Sequence, residues 1–120
     1  MQKIIDMRFN QEICVRLKLD FKDIVIINYL YELKKSDETT FIKIRGLEYF
    51  HINDSDFIQR YPFFNIVTKE TLRKRIQKLI GKNIIYGRRH LEHNFLDTND
   101  SLIEEILDMG TIQYRLEDFV

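Results

Sequence analysis

The apolar positions of this chain change period several times, and each change marks an element. Residues 12–19, "EICVRLKL", alternate apolar Ile13, Val15, Leu17 and Leu19 with Cys14, Arg16 and Lys18, the period of two expected of a half-buried strand. Asp20 then stands where a helix N-cap belongs. It precedes "FKDIVIINYLYELKK", in which Ile24, Ile27, Leu30 and Tyr31 recur at helical spacing. Val25, Ile26, Tyr29 and Leu33 carry the apolar surface most of the way round, which makes this helix central to a small domain. After a polar break at 36–40, two β-rich runs, 41–45 and 48–52, flank Gly46 and predict a hairpin. "NDSDFIQRY" predicts a short helix that stops near Pro62, because the residue before a proline disfavours the helical region. "PFFNIV" predicts a tight apolar turn.

Thr68 caps the next helix, "KETLRKRIQKLIGK". Leu72, Ile76, Leu79 and Ile80 fall on one face for the core, while Glu70, Arg73, Lys74, Gln77 and Lys78 fall on the opposite face. Asn83 suits the left-handed conformation that ends a helix, and "IIYGRR" predicts a strand. The polar stretch "HLEHNFLDTND" predicts a loop leading to an amphipathic acidic helix at 101–109, capped by Asp100. In the last run, "GTIQYRLEDFV", alternating Ile112, Tyr114 and Leu116 predict a strand.

At 120 residues, 44% of them hydrophobic and 32% charged, the chain is expected to be one folded domain spanning 1–120. Its single cysteine, Cys14, rules out an internal disulfide and fits a reducing compartment. No apolar run has the length of a membrane span, and the N-terminus lacks a signal-peptide pattern, so a cytoplasmic protein with no membrane partner is expected. The net charge is zero, yet the charges are sorted. Residues 69–90 hold eight basic side chains and one acid, residues 91–120 hold eight acids and one base, and the first 68 residues hold ten of each. Local charge, rather than the total, steers a polyanion.

The order of helix, β element, short helix, tight turn, basic helix and basic strand reads as a helix-turn-helix followed by a wing. The expected fold is α+β: a winged helix-turn-helix with an N-terminal strand and a β-hairpin before the second helix. Residues 1–12 form an extension that could supply a homodimer contact, and 91–110 form an acidic helical insertion in the wing. The expected interface with double-stranded DNA follows from side-chain chemistry. Lys69, Arg73, Lys74, Gln77 and Lys78 face the major groove, with Gln77 the candidate adenine reader. Thr68, Thr71, Arg88 and Arg89 hold the phosphate backbone.

The run "FIKIRGLEYFHINDSDFIQRYPFFNIVTKETLRKRIQKLIGKNIIYGRR" resembles the winged-helix domain at the N-terminus of phage and plasmid replication-initiation proteins, the DnaD-like replisome organisers. The shared pattern is a hairpin ending in Tyr49 and Phe50, a short helix, the turn Pro62–Phe63–Phe64, the cap Thr68 and a basic helix closing at Leu79 with a β-branched pair after it. Asn83 stands where that family usually has glycine, and "GTIQYRL" resembles its return strand. The resemblance implies DNA binding in replication initiation or its control. Family members continue into a domain that recruits helicase machinery; these 120 residues are expected to hold the DNA-binding domain alone, as a small protein or as a piece of a longer initiator.

Other residues invite plainer readings. Glu70 complements the helix dipole rather than reading cytosine. His90 and His93 lack a third and fourth ligand at metal-site spacing, so no metal is expected. Cys14, His51 and the aromatics from Tyr49 to Phe64 belong mostly to packing. No phosphate-binding loop, nucleophile elbow or carboxylate–histidine cluster appears, so neither an enzyme nor a cofactor is expected. The acidic 91–110 segment has three readings: a cover for one edge of the fold, a surface for a host or replication protein, or a flap over the basic helix. The alternative function is a small phage-type regulator or inhibitor whose winged helix grips a host protein.

Overall fold

The computed structural model describes residues 9–52, 54–62, 68–90 and 93–107, with the backbone alone for 89, 90, 93 and 94. The chain is α+β. Its elements run α1 (Gln11–Arg16), α2 (Phe21–Lys35), β1 (Phe41–Ile44), β2 (Leu47–Phe50), α3 (Asp54–Arg60), α4 (Lys69–Gly81), β3 (Ile85–His90), β4 (His93–Thr98) and α5 (Asp100–Ile106). The four strands form one antiparallel sheet in the order β1-β2-β4-β3. This arrangement is compatible with a winged-helix-like fold.

The first expected strand is a helix instead. Asn10 caps α1 by accepting the Ile13 amide at 3.1 Å, and Cys14 is buried. A strand would bury Val15 beside Ile13 and Leu17; here Val15 is 76% exposed, and Ile13, Cys14 and Leu17 share the inner face. Lys18 (φ 56°) turns the chain out of α1, and the Leu19 amide reaches back to the Cys14 carbonyl at 2.9 Å. That left-handed closure ends a helix, not a strand. The Asn10 amide bonds the Ile106 carbonyl at 2.7 Å, so the chain from residue 10 onward is part of the fold rather than an extension.

Asp20 caps α2 as expected, within a reciprocal box. Its carboxylate accepts the Asp23 amide at 2.8 Å, and Asp23 accepts the Asp20 amide at 3.1 Å. The helix is wrapped on nearly every side, with Ile24, Val25, Ile26, Ile27, Tyr29, Leu30 and Tyr31 all buried. Phe50, Phe57, Leu72, Leu79, Ile84, Ile85, Ile103 and Ile106 complete the core around it.

The β1–β2 hairpin turns on Arg45 (φ 53°) and Gly46 (φ 83°), the two left-handed residues between the pair Ile44↔Leu47. Two successive left-handed residues match the twist of the flanking strands. α3 ends at Arg60, ahead of Pro62 as expected, while the expected apolar turn at 63–67 lies outside the described residues. α4 is capped by Thr68 and closed by Asn83 (φ 60°), with the Ile84 amide bonding the Leu79 carbonyl at 3.1 Å.

The expected loop at 90–100 is largely strand β4. It pairs with β3 from Ile85↔Thr98 to His90↔His93, and with β2 through Phe50↔Leu96. Leu96 and Thr98 are buried on its inner face, which outweighs the polar residues between them. The β3 hairpin therefore closes ahead of the acidic helix, so 91–110 is not an insertion within it; the expected return strand at 111–116 lies outside the described residues. α5 is capped by Asn99 rather than Asp100, which occupies its first turn. Among the described residues no helix is long and apolar enough to cross a membrane.

Candidate nucleic-acid interface

α4 buries Leu72, Ile76 and Leu79 and is thereby fixed about its own axis, which decides where its cations go. Its N-terminus is finished by Thr68, whose Oγ1 accepts the Thr71 amide at 3.1 Å and lies 2.8 Å from the Thr71 hydroxyl. Both threonines are exposed but engaged with each other. Lys69 and Gln77 are exposed. Lys74 is 78% exposed and sits 3.7 Å from Glu70, one turn earlier, a geometry with little net energy in water. Glu70 in the first turn thus complements the helix dipole and this lysine.

The remaining cations of α4 are held by neighbouring helices. Arg73 lies 3.4 Å from Asp54 at the start of α3, whose other oxygen, Oδ1, is buried with no hydrogen-bond partner among the described residues. Lys78, expected to face a groove, instead reaches the carboxylate of Asp23 at 2.6 Å. Asp23 is fully buried in α2, and a buried carboxylate draws the nearest cations to itself.

Arg75, assigned no role from sequence, completes this network. Its guanidinium lies 3.0 Å from both oxygens of Asp20 and 3.1 Å from Asp23. Burial alone would raise the Asp20 pKa, but the Asp23 amide and the Arg75 guanidinium outweigh it and hold the carboxyl below its ordinary range. Burial would likewise lower Arg75, and Asp20 with Asp23 overcomes it and raises it. The one sequence signal was an aspartate placed directly before the apolar run Ile24–Ile27 of a central helix.

The helix leads through Asn83 into β3, and the contact is close: a Cβ on Gly87 would lie 2.8 Å from Ile80 Cδ1. The missing side chain lets α4 settle on the strand. Arg88 is half-buried on β3 and opposite Phe95; Arg89 is placed by its backbone pairing with Asn94. Tyr86 is exposed on the same strand.

The acidic part of the chain lies elsewhere. Lys34 of α2 bridges Asp97 at 2.7 Å and Asp100 at 3.0 Å, and the Tyr31 hydroxyl donates to Glu104 at 2.7 Å. α5 packs on α1 and α2 through Ile103 and Ile106. Of the three readings of this segment, these contacts fit a cover over that side of the core. A cleft of about 490 Å³ opens between α2 and α3, walled by Tyr29, Glu32, Glu38, His51, Asp56 and Arg60. The Tyr29 hydroxyl donates to Asp56 at 2.6 Å, which fixes one wall. No family model matches this chain, nor does any curated protein or solved structure.

Proposed function

We propose that the chain binds double-stranded DNA, with α4 as the helix that enters the major groove and the β3–β4 hairpin as the wing. The observation that carries this reading is the succession α3, α4 and an antiparallel hairpin whose return strand lies between β2 and β3. That succession is the plan of a winged helix-turn-helix, and α4 turns Lys69, Lys74 and Gln77 to solvent within it. Gln77 is then the base reader, Lys69 and Lys74 approach phosphates, and Arg88 supports the wing contact. The setting is phage or plasmid replication initiation or transcriptional control, by likeness to DnaD-like replisome organisers, with β4 taking the return-strand position. Binding as a homodimer to paired half-sites belongs to the same reading.

The test is fluorescence anisotropy with random duplex DNA at about 50 and about 200 mM salt. With about three phosphate contacts, affinity falls roughly 40-fold between those salts, and Arg73→Ala/Lys74→Ala flattens the dependence. Absence of binding at the lower salt sinks the proposal.

A second reading has its own support. Arg73, Lys74, Arg75 and Lys78 all lie within ion-pair distance of carboxylates of the same chain, which leaves a smaller cationic surface than the sequence implied. A small phage-type regulator that grips a host protein would have such a mixed surface, and its binding would depend weakly on salt.

A further inference from the structure

We infer that the Asp20–Asp23 pair at the start of α2 is an internal counter-ion that withholds Arg75 from the polyanion α4 would otherwise bind. This inference rests on the DNA-binding reading. Two carboxylates present Arg75 with the kind of oxygen cluster that a backbone phosphate would offer, at 3.0 to 3.1 Å. The two halves of the cluster differ in access. Asp23 is fully buried, and its two oxygens are divided between Lys78 on Oδ2 at 2.6 Å and Arg75 on Oδ1 at 3.1 Å. Asp20 is 54% exposed, and so the Asp20–Arg75 contact is open to exchange with an external anion.

Position on the helix makes the exchange relevant. Arg75 follows Lys74 and lies one turn before Lys78 and Leu79, on the flank of α4 that meets α2. A phosphate approaching that flank encounters the Asp20 carboxylate first. Asp20 therefore lowers affinity by occupying Arg75. The chain is left to bind through fewer phosphates, so base contacts carry a larger share of the discrimination.

Asp20→Asn separates this effect from folding. Asparagine keeps the oxygen that accepts the Asp23 amide and is as good an N-cap as aspartate, but it carries no charge. Arg75→Gln retains a donor for Asp23 while losing the cation. The experiment is the anisotropy titration of random duplex DNA across a salt series, on the native chain, Asp20→Asn, Arg75→Gln and the double variant, each first checked by a circular-dichroism melt. Asp20→Asn is expected to bind several-fold tighter at low salt, with a log–log salt slope steeper by about 0.9, one further phosphate. Arg75→Gln alone leaves native affinity unchanged, and in the double variant it cancels the gain. Native and Asp20→Asn chains with the same affinity and slope overturn it and leave the DNA reading intact. A gain that survives in the double variant also overturns it, since repulsion alone would then suffice. If no variant binds, the inference falls together with the reading beneath it.

Discussion

Lys74 and Lys78 stand four residues apart on one helix, and their sequence surroundings are alike. Their environments differ completely: Lys74 extends into water beside Glu70, whereas Lys78 neutralises the fully buried Asp23. Nothing local distinguishes them, because the partner of Lys78 is 55 residues earlier in the chain. The cap residues Thr68 and Asn83 were legible for the opposite reason, since each acts on backbone within its own turn. The difference has a measurable size. Asp23→Ala takes the counter-ion from Lys78, leaves Arg75 to Asp20 alone and breaks the capping box, and is expected to lose about 3 kcal/mol in urea unfolding. Lys74→Ala is expected to change stability by less than about 0.5 kcal/mol. Equal losses for both would mean that the buried network contributes nothing specific.

Elements were legible where the pattern was long or the punctuation strong. α2, the β1–β2 hairpin, α3 and α4 all carry a cap, a left-handed turn or a proline that fixes at least one end. α1 and β4 are short, with few apolar residues, so each admits either period. In "EICVRLKL" the alternation fits a strand, yet Ile13, Cys14 and Leu17 equally fit one helical face, and packing against α5 selects the helix. Val15 discriminates between the two. As a strand residue facing the core, Val15→Lys would lose about 2 kcal/mol. On the outer face of α1 the same substitution is expected to shift the unfolding midpoint by less than about 0.5 kcal/mol in equivalent free energy. A large loss would return this segment to the sheet.

Across the whole molecule, charge organises how the parts meet. Asp20 and Asp23 join α2 to α4, and Lys34 joins the other end of α2 to β4 and α5. The sorting of basic and acidic residues was visible in the sequence; that each group is partly neutralised by α2 was not, because it depends on which helices pack together. Acid should reveal these links. Burial acts to raise the Asp100 carboxyl, but the Thr98 hydroxyl and Lys34 outweigh it and hold it below the ordinary 3.8; Asp20 is depressed similarly by the Asp23 amide and Arg75. Depressed folded values mean that the unfolded chain takes up protons first. Their stabilisation is therefore complete above pH 3.8 and is lost as the pH falls from there through the folded values. Melting temperatures followed by circular dichroism should hold steady from about pH 7 to 5 and drop below about pH 4, with a shallower drop in Asp100→Asn. A main loss near pH 6 would instead point to histidine.

The sheet joins its two hairpins, among the described residues, through the single pair Phe50↔Leu96. Each hairpin links residues close in sequence, so either can form on the microsecond scale without the other. The joining pair lies 46 residues apart and closes a loop that contains α3 and α4, so it must wait for those helices to pack. Folding of this chain should accordingly have its entropic bottleneck at one residue pair near the middle of the sheet. The β3–β4 hairpin, as the later-synthesised half, is then captured by a helical core that α2 has already begun to organise.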